Sequence, residues 1–183
     1  MEETIIGKYN IIPENLPAEG DVFIRLKPID MIAYWKRCGM LADFAAAFYA
    51  YTRDEPTVQE NSISTVFNEL IENATKYSVK RGAEMTIHMM LYDSVLKIQI
   101  ENITTDQHFE SFKSHLTNLL ESDDLDTMYF EILAEKSEGS TDSGIGLLLL
   151  LKDYPLDIGA KFTKENGRNK VTLQAFYRLD DDE

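Results

Sequence analysis

Cysteine is almost absent from this chain, and that absence already narrows its chemistry. Cys38 is the only one, so no intramolecular disulfide can form, and a zinc site built on several thiolates is excluded. Long apolar runs are missing too. The longest purely aliphatic stretch, Leu147 to Leu151, is far short of a membrane span. Positive charge is scarce: 18 Lys and Arg stand against 32 Asp and Glu, for a net charge of −14. Such a field repels the nucleic-acid backbone and anionic lipid headgroups, so neither nucleic acid nor membrane is an expected partner. The basic groups Lys80-Arg81 and Arg168-Asn169-Lys170 are too short to reverse that sign. No basic region followed by an apolar one opens the chain at Met1 to Lys8, so no secretory signal is read and a reducing cytoplasm is the expected location.

What the chain does have is ordinary globular material. Apolar residues make up 44% of 183, enough for one core, and a single domain is expected. Residues 1–55 read as an N-terminal strand and helix. Val22, Ile24 and Leu26 alternate with polar neighbours as a strand does, and Pro28 stops it. Asp30 is placed to cap a long helix from Met31 to about Thr52, with Ile32, Trp35, Leu41, Phe44, Ala45 and Phe48 as its apolar stripe. Pro56 and Thr57 open a second helix to about Tyr77, whose apolar face is Ile63, Val66, Phe67, Leu70, Ile71 and Ala74. A hairpin follows, with Met85, Ile87 and Met89 in one strand, a turn at Asp93-Ser94, and Leu96, Ile98 and Ile100 in the other. Residues 103–138 read as an acidic helical insert with a turn at Glu121 to Asp124. A polar loop, Glu138 to Gly144, then leads into a helix from Ile145 to Asp153. Two strands, Ile158 to Thr163 and Lys170 to Leu179, flank Asn166-Gly167, and residues 180–183 form an acidic tail.

Candidate chemistry sits on the second helix. Glu69, Asn73, Lys76 and Lys80 follow at intervals of four, three and four, which places them on one helix face beside the apolar stripe. By spacing alone that row describes a solvated face. Asn73 argues otherwise, because a mid-helix asparagine costs helix propensity that Ala or Glu would not. An amide oxygen at Asn73 can hold a Mg²⁺ that bridges nucleotide phosphates, Glu69 can orient or deprotonate an attacking hydroxyl or water, and Lys76 can neutralise phosphate charge. A second anion-binding candidate is Ser140 to Leu148, where Gly144 and Gly146 stand at a loop-to-helix junction.

These two strings together resemble the GHKL ATPases, the superfamily of gyrase, heat-shock chaperones, histidine kinases and MutL. Asn68 to Ser78 resembles the N-box, with its Asn-Ala pair and following Lys-Tyr. The resemblance puts Asn73 at the Mg²⁺-binding position, Lys76 at a phosphate, and Tyr77 beside them. Glu69 takes the place of the catalytic base of gyrase and the anti-sigma-factor serine kinases. Asp142, Ser143, Gly144, Ile145, Gly146 and Leu147 resemble the second glycine box, beneath the triphosphate. The likeness runs from about Val58 to Leu179. It departs after the second hairpin strand, where the family's Asp-x-Gly-x-Gly box should recognise adenine and this chain has Ile100-Glu101-Asn102-Ile103-Thr104. Asn102 would have to accept from the adenine amino group, and an aspartate there would be the stronger acceptor.

The resemblance implies an α/β fold of Bergerat type: a two-layer sandwich, with a mixed sheet carrying helices on one face. It implies ATP or ADP with Mg²⁺ as ligands. It further implies a serine/threonine protein kinase-like switch, similar to the anti-sigma-factor and SiaB-like regulatory kinases, acting on a small antagonist or phosphoacceptor protein, with a homodimer as one possible assembly. A switch that binds nucleotide without phosphotransfer is the alternative. His88, His108 and His115 are expected to be ordinary surface or satisfied histidines rather than phosphoacceptors.

Overall fold

The structure, a computed structural model, describes residues 2–13, 15–50, 57–79, 83–135 and 145–179. Two strands, β1 (Glu2–Gly7) and β2 (Gly20–Leu26), precede three helices, α1 (Pro28–Ala33), α2 (Lys36–Ala50) and α3 (Thr57–Tyr77). A hairpin of β3 (Met85–Tyr92) and β4 (Val95–Thr104) follows. Helices α4 (Asp106–Glu121), α5 (Leu125–Glu135) and α6 (Ile145–Asp153) then lead to β5 (Leu156–Glu165) and β6 (Arg168–Arg178). The strands form one sheet in the order β1-β5-β6-β4-β3-β2. Helices pack on one face of it, giving the expected two-layer α/β sandwich. Every strand pairing is antiparallel, so the expected mixture of parallel and antiparallel neighbours is corrected: each strand meets its neighbour head to tail.

The inward positions of the strands alternate as the sequence indicates. Ile87 faces Ile100 and Met89 faces Ile98 across β3 and β4, while Leu173 and Ala175 continue the same rows onto β6. Helix α3 buries Ile63, Val66, Phe67, Leu70 and Ile71 against them. Each such side chain contributes about 1.5–3 kcal/mol on burial, whereas one asparagine in a helix costs under about 1 kcal/mol. The core therefore decides the helix, and its polar row rides along. Asn166 and Gly167 both have positive φ, 51° and 71°, the two-residue turn that matches the twist of β5 and β6.

The first long helix is corrected. It is two helices, broken at Tyr34, where φ is −133° and ψ 67°. The first starts at Pro28 behind Lys27, with no side-chain cap, and Asp30 lies inside its first turn. The stripe is corrected in part: Ala45 is buried and Leu41 packs against the core as expected, whereas Trp35, Phe44 and Phe48 face outward. Cys38, Ala42, Ala45, Ala46 and Tyr49 are buried, while Phe44 and Phe48 are 47% and 44% exposed. Small residues let α2 approach α3 closely, and bulky rings on that side would hold the helices apart. The acidic insert begins later than expected, because Ile103 and Thr104 still belong to β4. Helices α4 and α5 are separated at Ser122 to Asp124, as expected. Pro56, the loop 138–144 and the tail 180–183 lie outside the described residues.

The chain between β1 and β2 must join opposite edges of the sheet. Five gaps of about 4.8 Å span about 24 Å, and a dozen extended residues reach about 40 Å. The segment from Lys8 to Glu19 makes that crossing over the face away from the helices. Lys8 N–H donates to the Ile158 carbonyl (3.0 Å) and Glu19 N–H to that of Leu91 (2.8 Å). In between, Asn10 N–H donates to Gln174 Oε1 (2.8 Å) and Gln174 Nε2 to Asn10 Oδ1 (2.9 Å). Under this strap Gln174 and Phe176 are buried. A Cβ at Gly159 would strike the Lys8 carbonyl and lie 2.6 Å from Tyr9 N. Gly159→Ala is expected to cost about 1–3 kcal/mol, read as a lowered urea midpoint. Unchanged stability would show that the strap does not bear on β5.

Candidate functional site

The polar row of α3 borders a slot between that helix, β4, β6 and α4. Asn73, Tyr77, Asn102, Thr104, His108 and Phe112 are among its walls, and its volume is about 40 Å³. That is room for water, well below the roughly 300–1,000 Å³ of a small-molecule site.

Glu69 lies at the upper end of the row. Asn73 Nδ2 donates to Glu69 Oε1 at 2.8 Å, which leaves the Asn73 carbonyl oxygen as the group available to a cation. Helix α6 comes down on the same carboxylate: a Cβ built on Gly146 would overlap the Glu69 side chain. Gly146 has no positive φ and lies within α6. Its hydrogen side chain therefore serves close approach, not an unusual backbone conformation. Burial raises the Glu69 pKa, against the lowering effect of the Asn73 hydrogen bond.

Asn102 is buried beneath the end of α3. Its Nδ2 donates to Ser78 Oγ at 3.0 Å and to the Ala74 carbonyl at 3.4 Å. Thr104 Oγ1 donates to the Tyr77 carbonyl at 2.7 Å. Both satisfy carbonyl or hydroxyl acceptors at the C-terminal end of the helix, where intrahelical partners run out. Asn102 thus has a structural task besides any contact with a ligand, and its Oδ1 is the atom left over.

Not every expected residue joins the slot. Lys76 is exposed, with its ammonium 5.2 Å from the Tyr77 ring centre. Leu147 is buried in the core, and Ile145 is the first residue of α6. Asp142, Ser143 and Gly144 lie outside the described residues. Two polar residues of the slot, Thr104 and His108, lie outside the site candidates read from the sequence. Thr104 was legible, since it extends the inward alternation Ile98, Ile100, Asn102 of β4. His108 was not expected to take part; its Nδ1 is buried without a hydrogen-bond partner among the described residues, and its ring meets that of Tyr77 edge-on at 5.2 Å. Thr105, whose side chain accepts from His108 N–H at 3.3 Å, caps α4.

No protein-family model matches the chain, and no curated protein sequence matches it. Among the described residues no helix is long and apolar enough to cross a membrane, and no three His, Cys, Asp or Glu side chains cluster as a metal site.

Two outcomes follow from this geometry. Asn102→Asp removes the donor to Ser78 and Ala74 and should destabilise the protein by about 1–3 kcal/mol; a melting temperature equal to wild type would refute the anchoring role. Glu69, with its folded-state pKa raised, holds its proton more tightly in the native state. It contributes stability below its unfolded pKa, and this is lost as pH rises through the folded value. Glu69→Gln should therefore gain stability relative to wild type at about pH 7.5 but not at about pH 4. A difference independent of pH would sink this reading.

Proposed function

We propose that this chain is a regulatory protein that binds ATP or ADP with Mg²⁺, in the manner of the GHKL ATPases, and acts as a serine/threonine kinase-like switch on a small partner protein. The observation that carries this reading is the approach of Gly146 to Glu69. Two motifs 77 residues apart (146 − 69) are brought into contact, and a side chain on the glycine would displace the carboxylate. Close approach at a glycine is what a phosphate-binding helix start beside a catalytic carboxylate requires.

The described residues suit such a ligand in their donor set. The Asn73 carbonyl oxygen would hold the cation, Asn102 Oδ1 and His108 Nδ1 offer polar atoms to a base, and Lys76 stands outside the slot as a counter-charge. When bound, ATP would supply the phosphoryl group, and Glu69 would take the proton of the accepting hydroxyl. The slot is too small for a base as it stands, so α4, which contributes His108 and Phe112, must move from β4 and β6 to admit one. Retained nucleotide binding without phosphotransfer would make the protein a partner-holding switch.

Calorimetry with Mg²⁺ and ATP or ADP should detect saturable binding, and ligand at 100 times its dissociation constant should add about 2.7 kcal/mol of stability. Asn73→Ala should weaken binding about tenfold or more without unfolding the protein. Glu69→Gln should keep binding while slowing phosphate transfer to a co-purified partner by on the order of 10²-fold. Gly146→Ala gains up to about 1 kcal/mol of helix propensity but must push the Glu69 carboxyl off Asn73, which offsets that gain, and it should lose nucleotide affinity. Failure of every adenine nucleotide to bind at millimolar concentration ends the proposal. Nucleotide-dependent capture of a partner with no transfer selects the switch.

A further inference from the structure

A cavity lies away from the polar row of α3. It occupies about 590 Å³ at the corner where β2 passes into α1 and α1 into α2, within the size range of a ligand site. It lies beside the break at Tyr34, where the six-residue α1 gives way to α2. Its apolar lining includes Met31, Met40 and Leu41, and its charged lining includes Arg25, Lys27 and Arg37. Asp30 and Glu84 also border it, and Glu84 is 3.7 Å from Arg25. Lys27 and Arg37 make no ion pair among the described residues. The Arg37 guanidinium lies 4.3 Å from the centre of the Tyr34 ring, held at the rim by a cation–π contact. Against Asp30 and Glu84 the three cations leave one net positive charge on this lining in a chain of net charge −14, and it rests on Lys27 and Arg37, because Arg25 is engaged by Glu84.

A second observation concerns the backbone. β2 is the last strand of the sheet and pairs only with β3, so its outward N–H and C=O groups are unpaired among the described residues. Free edges of this kind accept an added strand. Exposed Met40, Phe44 and Phe48, spaced four apart along α2, extend the apolar surface from the cavity.

We propose that this corner binds an extended acidic segment of a partner protein, added as a seventh strand along β2. Alternate side chains of an added strand fall on opposite sides of the sheet. Aliphatic side chains on the helix side meet Met31, Met40 and Leu41, and methionines suit such a surface because they repack around different shapes. Carboxylates on the other side meet Arg25, and those at the end of β2 meet Lys27 and Arg37. The main-chain ladder supplies affinity for any extended segment; Lys27 and Arg37, which have no ion-pair partner among the described residues, select an acidic one. This surface is separate from the slot between α3 and β4, and its occupation does not depend on nucleotide.

The probe is a synthetic fluorescent peptide of about ten residues in which glutamate alternates with valine or leucine, titrated into the intact protein and followed by anisotropy and amide NMR. Saturable binding is expected, with shifts at the β2 amides and at Met31 and Met40. The lysine-for-glutamate counterpart should bind roughly tenfold more weakly or worse, and equal binding would overturn the choice of an acidic segment. The double variant Lys27→Glu, Arg37→Glu changes exposed side chains and should melt as wild type does; it should bind the acidic peptide roughly tenfold more weakly or worse. N-methylating one alternate set of peptide nitrogens should abolish binding, because only one set faces β2. The proposal is overturned if the acidic peptide gives no saturable shift up to millimolar concentration or if the double variant binds it as tightly as wild type. It is equally overturned if both N-methylated forms bind, or if inorganic phosphate alone reproduces the shifts and displaces the peptide.

Discussion

The burial of one stripe of α3 on the centre of the sheet is the constraint on which the rest of the molecule depends. Ile63, Val66, Phe67, Leu70 and Ile71 all lose their contact with water there, and the contact of α3 with β4 is the most extensive between a helix and a strand among the described residues. Once that stripe is fixed, the helix can rotate no further, and Glu69 and Asn73 must stand at the margin between α3 and α6. The C-terminal end is then fastened by Asn102 and Thr104, and Val79 N–H donates to the Ile103 carbonyl at 2.8 Å. Apolar burial sets the orientation of the helix and hydrogen bonds set its end.

The same fastening fixes what Asn102 does in the fold. Its amide nitrogen is committed to the helix terminus, donating to Ser78 Oγ and the Ala74 carbonyl. An aspartate there would bring no donor to the helix. Glu69 is under two opposed influences. Burial between α3 and α6 raises its pKa, and Asn73 keeps the carboxylate hydrogen-bonded in one rotamer, as a positioned proton acceptor needs to be.

Away from that site, the two ends of the sheet are handled differently. The strap from Lys8 to Glu19 ties β1 to β2 across the outer face and covers Gln174 and Phe176, while α4 reaches the β1 edge through Lys113 and Thr4, 3.1 Å apart. The β2 edge has no comparable cover among the described residues. Natural sheets protect long edges or use them, and here the uncovered edge lies beside the cavity and its cations.

Periodicity determined the 3.6-residue stripe of α3 and the alternation of the β3–β4 hairpin, while loop and turn residues marked the Asn166-Gly167 turn and the start of the helix from Ile145 to Asp153. It also placed Glu69 and Asn73 on one face, because local geometry needs no partner. Tertiary packing decided what depends on distant chain segments. Large aromatic residues of α2 turned outward because alanines allow the closer approach to α3. Thr104 became part of a strand because Asn169 of β6 pairs with it. Gly146 met Glu69 because the chain folds back over tens of residues, and Arg25, Lys27 and Arg37 came to border one cavity beside the break at Tyr34. A sequence pattern reports which side of an element is apolar; which neighbour that side meets, and at what distance, is settled only when the core closes.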